Sequence, residues 1–263
     1  MSTDTTSSSV PAVPASTHAS AAAPAVELVV LDMAGTTVVD DGIVEQAFAR
    51  TADRVDLGPS LTRDEALQHV RDTMGQSKID VFRHLAGGDE QVAQRAAAQF
   101  EVAYGELVDE LGVDPIEGAG ELIDALRASG ISVVLTTGFA PATRDRLLDA
   151  LGWQVDAALS PVDAGRGRPA PDLVLTALLR TGAASVASVV VVGDTASDVL
   201  SGRAAGAGLV VGVTTGAHTH EQLLAAGADV VLDSVRDLAR LPQLAGLLAT
   251  ATATATASPV PAS

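Results

Sequence analysis

A chain of 263 residues that is 47% hydrophobic can bury the core of one large domain or of a domain with an insert, and its formal charge of −17 argues against nucleic acid or an anionic membrane surface as main partner. The absence of cysteine excludes disulfides, thiolate metal sites and a cysteine nucleophile, and fits a reducing, cytoplasmic compartment. Aromatic residues make up only 2%, so packing falls to Val, Leu, Ile and Ala, as in helices laid on a parallel sheet.

Residues 1–25 form a Ser/Ala/Pro-rich stretch without the basic start of a secretory signal, and read as a disordered tail. The first buried strand is "VELVVLD" (26–32), ending in Asp32. From 43 to 111 only helical patterns occur, among them "IVEQAFARTADRV", "TRDEALQHVRD" and "DEQVAQRAAAQFEVAYGELVDELG". Such an insert is a small all-helical cap; leaving the sheet just after Asp32, it emerges over the carboxyl ends of the strands, where α/β proteins bind ligands.

Beyond it, strands "ISVVLTTG" (131–138), "VDAALS" (155–160), "SVVVVGD" (188–194), "GLVVGV" (208–213) and "ADVVLD" (228–233) alternate with amphipathic helices of crossover length. The last strand lies at an edge, with a helix after it. The pattern predicts an α/β fold, a doubly wound parallel sheet from 26–42 and 112–248 interrupted by the cap at 43–111, with a second disordered tail at 249–263. No window of about 18 uninterrupted apolar residues is present, so no membrane span is expected.

Asp32, Thr136, and Asp194 with Asp198 finish three of these strands and converge on one sheet edge. A single aspartate at a strand end commonly caps the next helix. Several carboxylates in one place repel each other unless a cation lies among them, and hard oxygen ligands suit Mg²⁺ holding a phosphate.

"DMAGTT", "VVLTTG", "GRPAPD" and "VVGDTASD", in that order across residues 26 to about 245, resemble the four motifs of the haloacid dehalogenase superfamily. The resemblance implies its Rossmann-like core and hydrolysis through an aspartyl-phosphate. It makes Asp32 the nucleophile and, with Asp194 and the Ala34 carbonyl, a Mg²⁺ ligand, with Asp198 a metal-side or outer acid. Thr136, followed by Thr137 and Gly138, would hold phosphoryl oxygens, and Arg168 takes the place where most members have lysine.

Two residues after Asp32, where phosphatases of this superfamily usually keep an acid that protonates the departing alkoxide, this chain has Ala34. "DMAGTT" together with an arginine in the third motif resembles the phosphonatase branch, which cleaves the carbon–phosphorus bond of phosphonoacetaldehyde. There a cap lysine condenses with the aldehyde, and the protonated imine accepts the electrons. "MGQSKID" resembles the segment around that lysine, which makes Lys78 the candidate, with Met74 and Gly75 beside it on the cap side. Of the 16 basic residues, Lys78 is the one lysine, and a guanidinium cannot form an imine. Imine formation further requires that an amine of ordinary pKa near 10.4 lose its proton around neutrality, attainable by burial or a nearby cation.

Two positions depart from that branch. Val81 stands where a histidine follows the lysine, Phe139 where an aromatic hydroxyl follows the second motif, and the loop after "AGTT" is one residue longer. His84 is close enough in sequence to substitute for the missing histidine. The expected substrate is a small anionic phosphonate, phosphonoacetaldehyde or a related oxo-phosphonate; the alternatives are a phosphatase of small organophosphates and a catalytically silent phosphate-binding or regulatory protein. A homodimer through the cap is implied by the resemblance alone. His218 and His220 flank Thr219, which with Gln222 fits a helix-capping box better than a metal site, and Tyr104 and Trp153 read as packing residues.

Overall fold

Uninterrupted Val and Leu runs form strands buried on both faces. The computed structural model describes residues 25–58 and 61–245; apart from Ala25, the expected tails at 1–25 and 249–263 lie outside the described residues. Strands β1 (Leu28–Asp32), β2 (Ser132–Thr136), β3 (Ala157–Leu159), β4 (Val189–Gly193), β5 (Leu209–Val213) and β6 (Val230–Leu232) pair in parallel in the order β3-β2-β1-β4-β5-β6. The chain winds outward from β1 in one direction and from β4 in the other, so the sheet reverses between these neighbours. That reversal is where a doubly wound sheet opens a crevice for ligands. In register, Asp32 lies opposite Thr136 and Leu31 opposite Val192, which brings the ends of β1, β2 and β4 together.

Helices α1 (Ile43–Arg54), α2 (Arg63–Asp72), α3 (Lys78–Leu85) and α4 (Glu90–Leu111) fill the interval between β1 and β2. Their ends are capped as the sequence dictates: Thr62 and Glu65 form a capping box on α2, and the Asp89 side chain accepts from the N–H groups of Gln91 and Val92 at the start of α4. Along α4 the buried face carries Ala93, Ala96, Phe100, Ala103, Tyr104 and Leu107, a helical stripe. On α1, Val44, Ala47, Phe48 and Thr51 do the same. Alanines let the two helices approach while Phe48 and Phe100 interlock at 4.7 Å between ring centroids.

The remaining helices, α5 (Ala119–Ala128), α6 (Pro141–Leu151), α7 (Pro161–Ala164), α8 (Asp172–Thr181), α9 (Ala196–Ala205) and α10 (His220–Ala226), cross between strands. The stretch after β6 is a 3₁₀ helix, Val235–Arg240. Thr219 and Gln222 form the capping box expected at α10. No described helix is long and apolar enough to cross a membrane.

The helices between β1 and β2 do not keep their apolar residues to themselves. One hydrophobic cluster runs from Leu31 and Leu135 in the sheet through Phe139 to Phe82, Phe100 and Tyr104. The segment before α3 lies flat on the sheet edge because both sides lack side chains there. A Cβ on Gly138 would collide with the Gln76 carbonyl, and one on Gly75, whose φ of +79° already favours glycine, would come within 2.6 Å of Thr195 Oγ1.

Candidate active site

Asp32 ends β1 and is buried, with Arg168 Nη1 donating to its Oδ1 at 2.6 Å. The same Nη1 donates to Asp198 Oδ1. The Asp32 carboxylate also takes a hydrogen bond from the Met33 backbone, and Asp32 lines the cavity. Asp194, just past β4, accepts from Thr36 Oγ1 at 3.0 Å on Oδ1 and from the Ala217 N–H at 2.8 Å on Oδ2.

Asp198 combines the two readings that the sequence set against each other. Its Oδ2 accepts from the N–H and hydroxyl of Thr195, a capping box on α9, while its Oδ1 holds Arg168. With both oxygens engaged, Asp198 orients the guanidinium and stands on the outer side of the acid cluster.

Burial dominates the electrostatics. Opposed by Arg168 and reinforced by Asp198, it pushes Asp32 up to about 7. Burial, then the charges of Asp32 and Asp198, also drives Asp194 well above the usual carboxylate range. Ligand oxygens of Asp32, Asp194 and Asp198 all lie within 4.8 Å of one another, and among the described residues Arg168 is the one cation bonded into the cluster. The Ala34 carbonyl accepts no hydrogen bond among the described residues. Such a donor set, all hard oxygen and short of positive charge, fits Mg²⁺.

Facing these acids across a cavity of about 30 Å³ are Met74, Gly75 and Lys78. Lys78 opens α3, at the positive end of the helix dipole, and is only 6% exposed. Its Nζ lies 5.2 Å from the ring centre of Phe139, 5.6 Å from Phe100 and 5.8 Å from Phe48, and makes no hydrogen bond or ion pair with the described residues. Burial, then Arg168, pushes the amine down to about 8, against Asp40, Glu101 and Asp32. Ring faces stabilise an ammonium by about 0.5–2 kcal/mol. A shift from 10.5 to about 8 means that the site disfavours the ammonium by about 3 kcal/mol relative to water, so desolvation wins.

The structure brings Asp32, Ala34, Asp194, Arg168, Met74, Gly75, Lys78, Thr137 and Gly138 to the cavity. Thr136 is not among its lining: its hydroxyl turns onto the Leu31 carbonyl at 3.5 Å, and Thr137, the next residue, lines it instead. Neighbouring residues at a strand end face different ways, so a shift of one residue decides which hydroxyl is available. Val81 is buried in the apolar cluster. His84 is exposed and stacks on His69 at 3.9 Å, so it does not take the place of a histidine at 81. His218 Nδ1 accepts from the Ala196 N–H at 2.8 Å, and its own N–H donates to the Asp194 carbonyl, fixing the loop behind the acid. Tyr104 and Trp153 pack as expected, Tyr104 against Phe139 at 4.5 Å.

Two acids near Lys78 escaped the sequence reading. Asp40, in the lengthened "VVDDG" loop, lines the cavity and accepts from the Val44 N–H, a cap at the start of α1 that its place before a helix could have signalled. Glu101 lies on α4 with nothing in its local sequence to mark it.

Residues 26–206 match the family model of haloacid dehalogenase-like hydrolases. Over 245 residues the chain is 31% identical to a phosphonoacetaldehyde hydrolase of Bordetella pertussis, with 84% of this chain and 85% of that one covered. It is 30% identical to a phosphonoacetaldehyde hydrolase of Bacteroides fragilis, over 83% of this chain and 96% of the relative. Among solved structures, a phosphonoacetaldehyde hydrolase-like protein from Oleispira antarctica superposes with a TM-score of 0.72 at 25% identity, covering 88% of this chain and 95% of that one.

Proposed function

The chain belongs to the haloacid dehalogenase-like hydrolases, and we propose that within this family it cleaves the carbon–phosphorus bond of phosphonoacetaldehyde or a related small oxo-phosphonate. One observation carries the reading: the only lysine in the sequence is buried among three phenyl rings and faces the nucleophile's cavity. A lysine serving solubility or surface charge has no reason to be there.

The neutral amine of Lys78 attacks the substrate aldehyde, and loss of water gives a protonated imine. Arg168, whose Nε is buried without a hydrogen-bond partner among the described residues, offers that donor to a phosphonyl oxygen, with Thr137 and Gly138 lining the same cavity. Asp32 Oδ2 attacks phosphorus in line with the carbon. The electrons of the breaking C–P bond flow into the imine and leave an enamine on Lys78 and a phosphate on Asp32. Water then hydrolyses the aspartyl-phosphate, and the enamine takes up a proton on carbon and is hydrolysed to the free aldehyde.

No oxygen leaves as an alkoxide, so Ala34 in place of an acid costs this reaction nothing. Asp32, Asp194 and the Ala34 carbonyl, with Asp198 alongside, would hold Mg²⁺, which when bound neutralises phosphonyl oxygens and keeps the clustered carboxylates ionised. A cavity of about 30 Å³ has room for little beyond a water molecule, so the helices from Ile43 to Leu111 act as a lid that opens to admit substrate.

Borohydride reduction in the presence of phosphonoacetaldehyde, followed by peptide mass mapping, tests the reading. The expected adduct lies on Lys78. Phosphate release with no adduct there would refute the imine route.

A further inference from the structure

Lys78 lines two cavities. The first is shared with Asp32 and Arg168; the second, of about 210 Å³, is lined by Ser77, Lys78, Glu101, Phe139 and Ala140 among others. Glu101 projects from α4, which packs along α3. Its Oε1 accepts the Ala140 N–H, at the start of α6, at 3.1 Å. Its Oε2 is buried and has no hydrogen-bond partner among the described residues. A carboxylate oxygen left in that state has lost its hydration without replacement, which a helix-capping role alone does not explain, since Oε1 already fulfils it.

The charged groups bearing on Lys78 are Arg168, Asp40, Glu101 and Asp32. Asp32 is bonded to Arg168 and is reserved for phosphorus; Asp40, its Oδ1 held by the Val44 N–H, lines the first cavity and is not among the residues lining the second. Val81 and Phe139 supply neither acid nor base. Imine formation nevertheless needs a group that removes a proton from the lysine and returns one to the departing oxygen.

We propose that Glu101 is the proton-relay residue of Lys78. This inference rests on the imine reading and adds to it the route of the protons. The Glu101 carboxylate takes one proton from the Lys78 ammonium, directly or through one water in the cavity they share. The freed amine's lone pair forms the N–C bond as the carbonyl π electrons move to oxygen, and a second proton passes from nitrogen to that oxygen within the adduct. The C–O bond then breaks as the nitrogen lone pair forms C=N; Glu101 returns its proton to the departing hydroxyl, which leaves as water. Ammonium and aldehyde thus become protonated imine and water, and Glu101 ends as the carboxylate it began as.

Glu101→Gln separates this role from a structural one, because the amide oxygen still accepts the Ala140 N–H. The rate of borohydride-trapped Lys78 adduct with phosphonoacetaldehyde is measured against pH, alongside inorganic phosphate binding and the unfolding midpoint. The expected result is a fall in trapping rate of about 10²-fold. The pH midpoint should move lower, because a charge that favours the ammonium is gone, and phosphate binding and unfolding should be unchanged. Glu101→Ala should recover part of the rate on addition of formate.

Trapping by the Gln variant at the wild-type rate and midpoint, or a loss that follows weakened phosphate binding or folding, overturns the relay and leaves Lys78's own role intact. Failure of the wild-type protein to give an adduct overturns the imine reading and the relay with it.

Discussion

On the sheet side of the cavity every acid is wired in: Asp32 to Arg168 at 2.6 Å, Asp194 to Thr36 and Ala217, Asp198 to Arg168 and Thr195. Across the cavity the Lys78 amine lies over three phenyl rings and makes no hydrogen bond or ion pair with the described residues. Both walls are buried, and burial acts on them in opposite senses. It raises Asp32 and Asp194 above the usual carboxylate range, and it lowers the amine until the neutral form is accessible near neutral pH. The same dry space thus favours a cation on one wall and loosens a proton on the other.

The harshest way to break this contrast is at its charged pole. Asp32→Asn keeps the shape of the side chain and removes the proposed nucleophile, and should lower phosphate release by on the order of 10⁴-fold or more, measured in single-turnover assays. Imine trapping on Lys78 should persist in this variant, since the two walls act on different atoms.

At the apolar pole, Lys78→Arg retains a cation and forfeits the imine. Phosphonate cleavage should fall by on the order of 10³-fold while inorganic phosphate still binds, as followed by calorimetry. A variant that still turned over phosphonoacetaldehyde would reduce Lys78 to a charge.

A milder change sharpens the contrast without removing either group. In the wild-type protein the trapping rate should fall about tenfold for each pH unit below about 8, where the amine is protonated, and level off above it. Phe139→Asn hydrates one side of the amine, so the midpoint should rise by about one unit toward the ordinary lysine value. A midpoint that stayed in place would mean that Arg168, and not the rings, sets the amine's proton affinity.

Much of this architecture was legible in the chain. All six strand windows contain an observed strand, and those of the inner strands are the apolar runs that parallel strands buried on both faces must have. Lys78 stood out by scarcity, and the gap at Ala34 by its place beside Asp32. Thr136 and Thr137 could not be told apart, because which of two adjacent hydroxyls reaches a ligand depends on how the strand end turns. His84 looked usable because helix neighbours in sequence are close; its direction around α3 takes it to the surface.

Glu101 and the phenyl rings were invisible for a different reason. Phe48, Phe100 and Phe139 come from α1, α4 and the loop after β2, and within each element the ring reads as ordinary core. By itself the sequence determined the sheet, the order of the acids along it and the identity of the one amine, because those follow from local hydrophobic pattern and residue chemistry. Only the tertiary structure decided that the amine is dry, that Asp198 serves Arg168, and that Glu101, with one buried oxygen unpaired among the described residues, lines a cavity with Lys78. Desolvation and unsatisfied hydrogen bonding are properties of what surrounds a group, and the surroundings here are assembled from segments far apart in the chain.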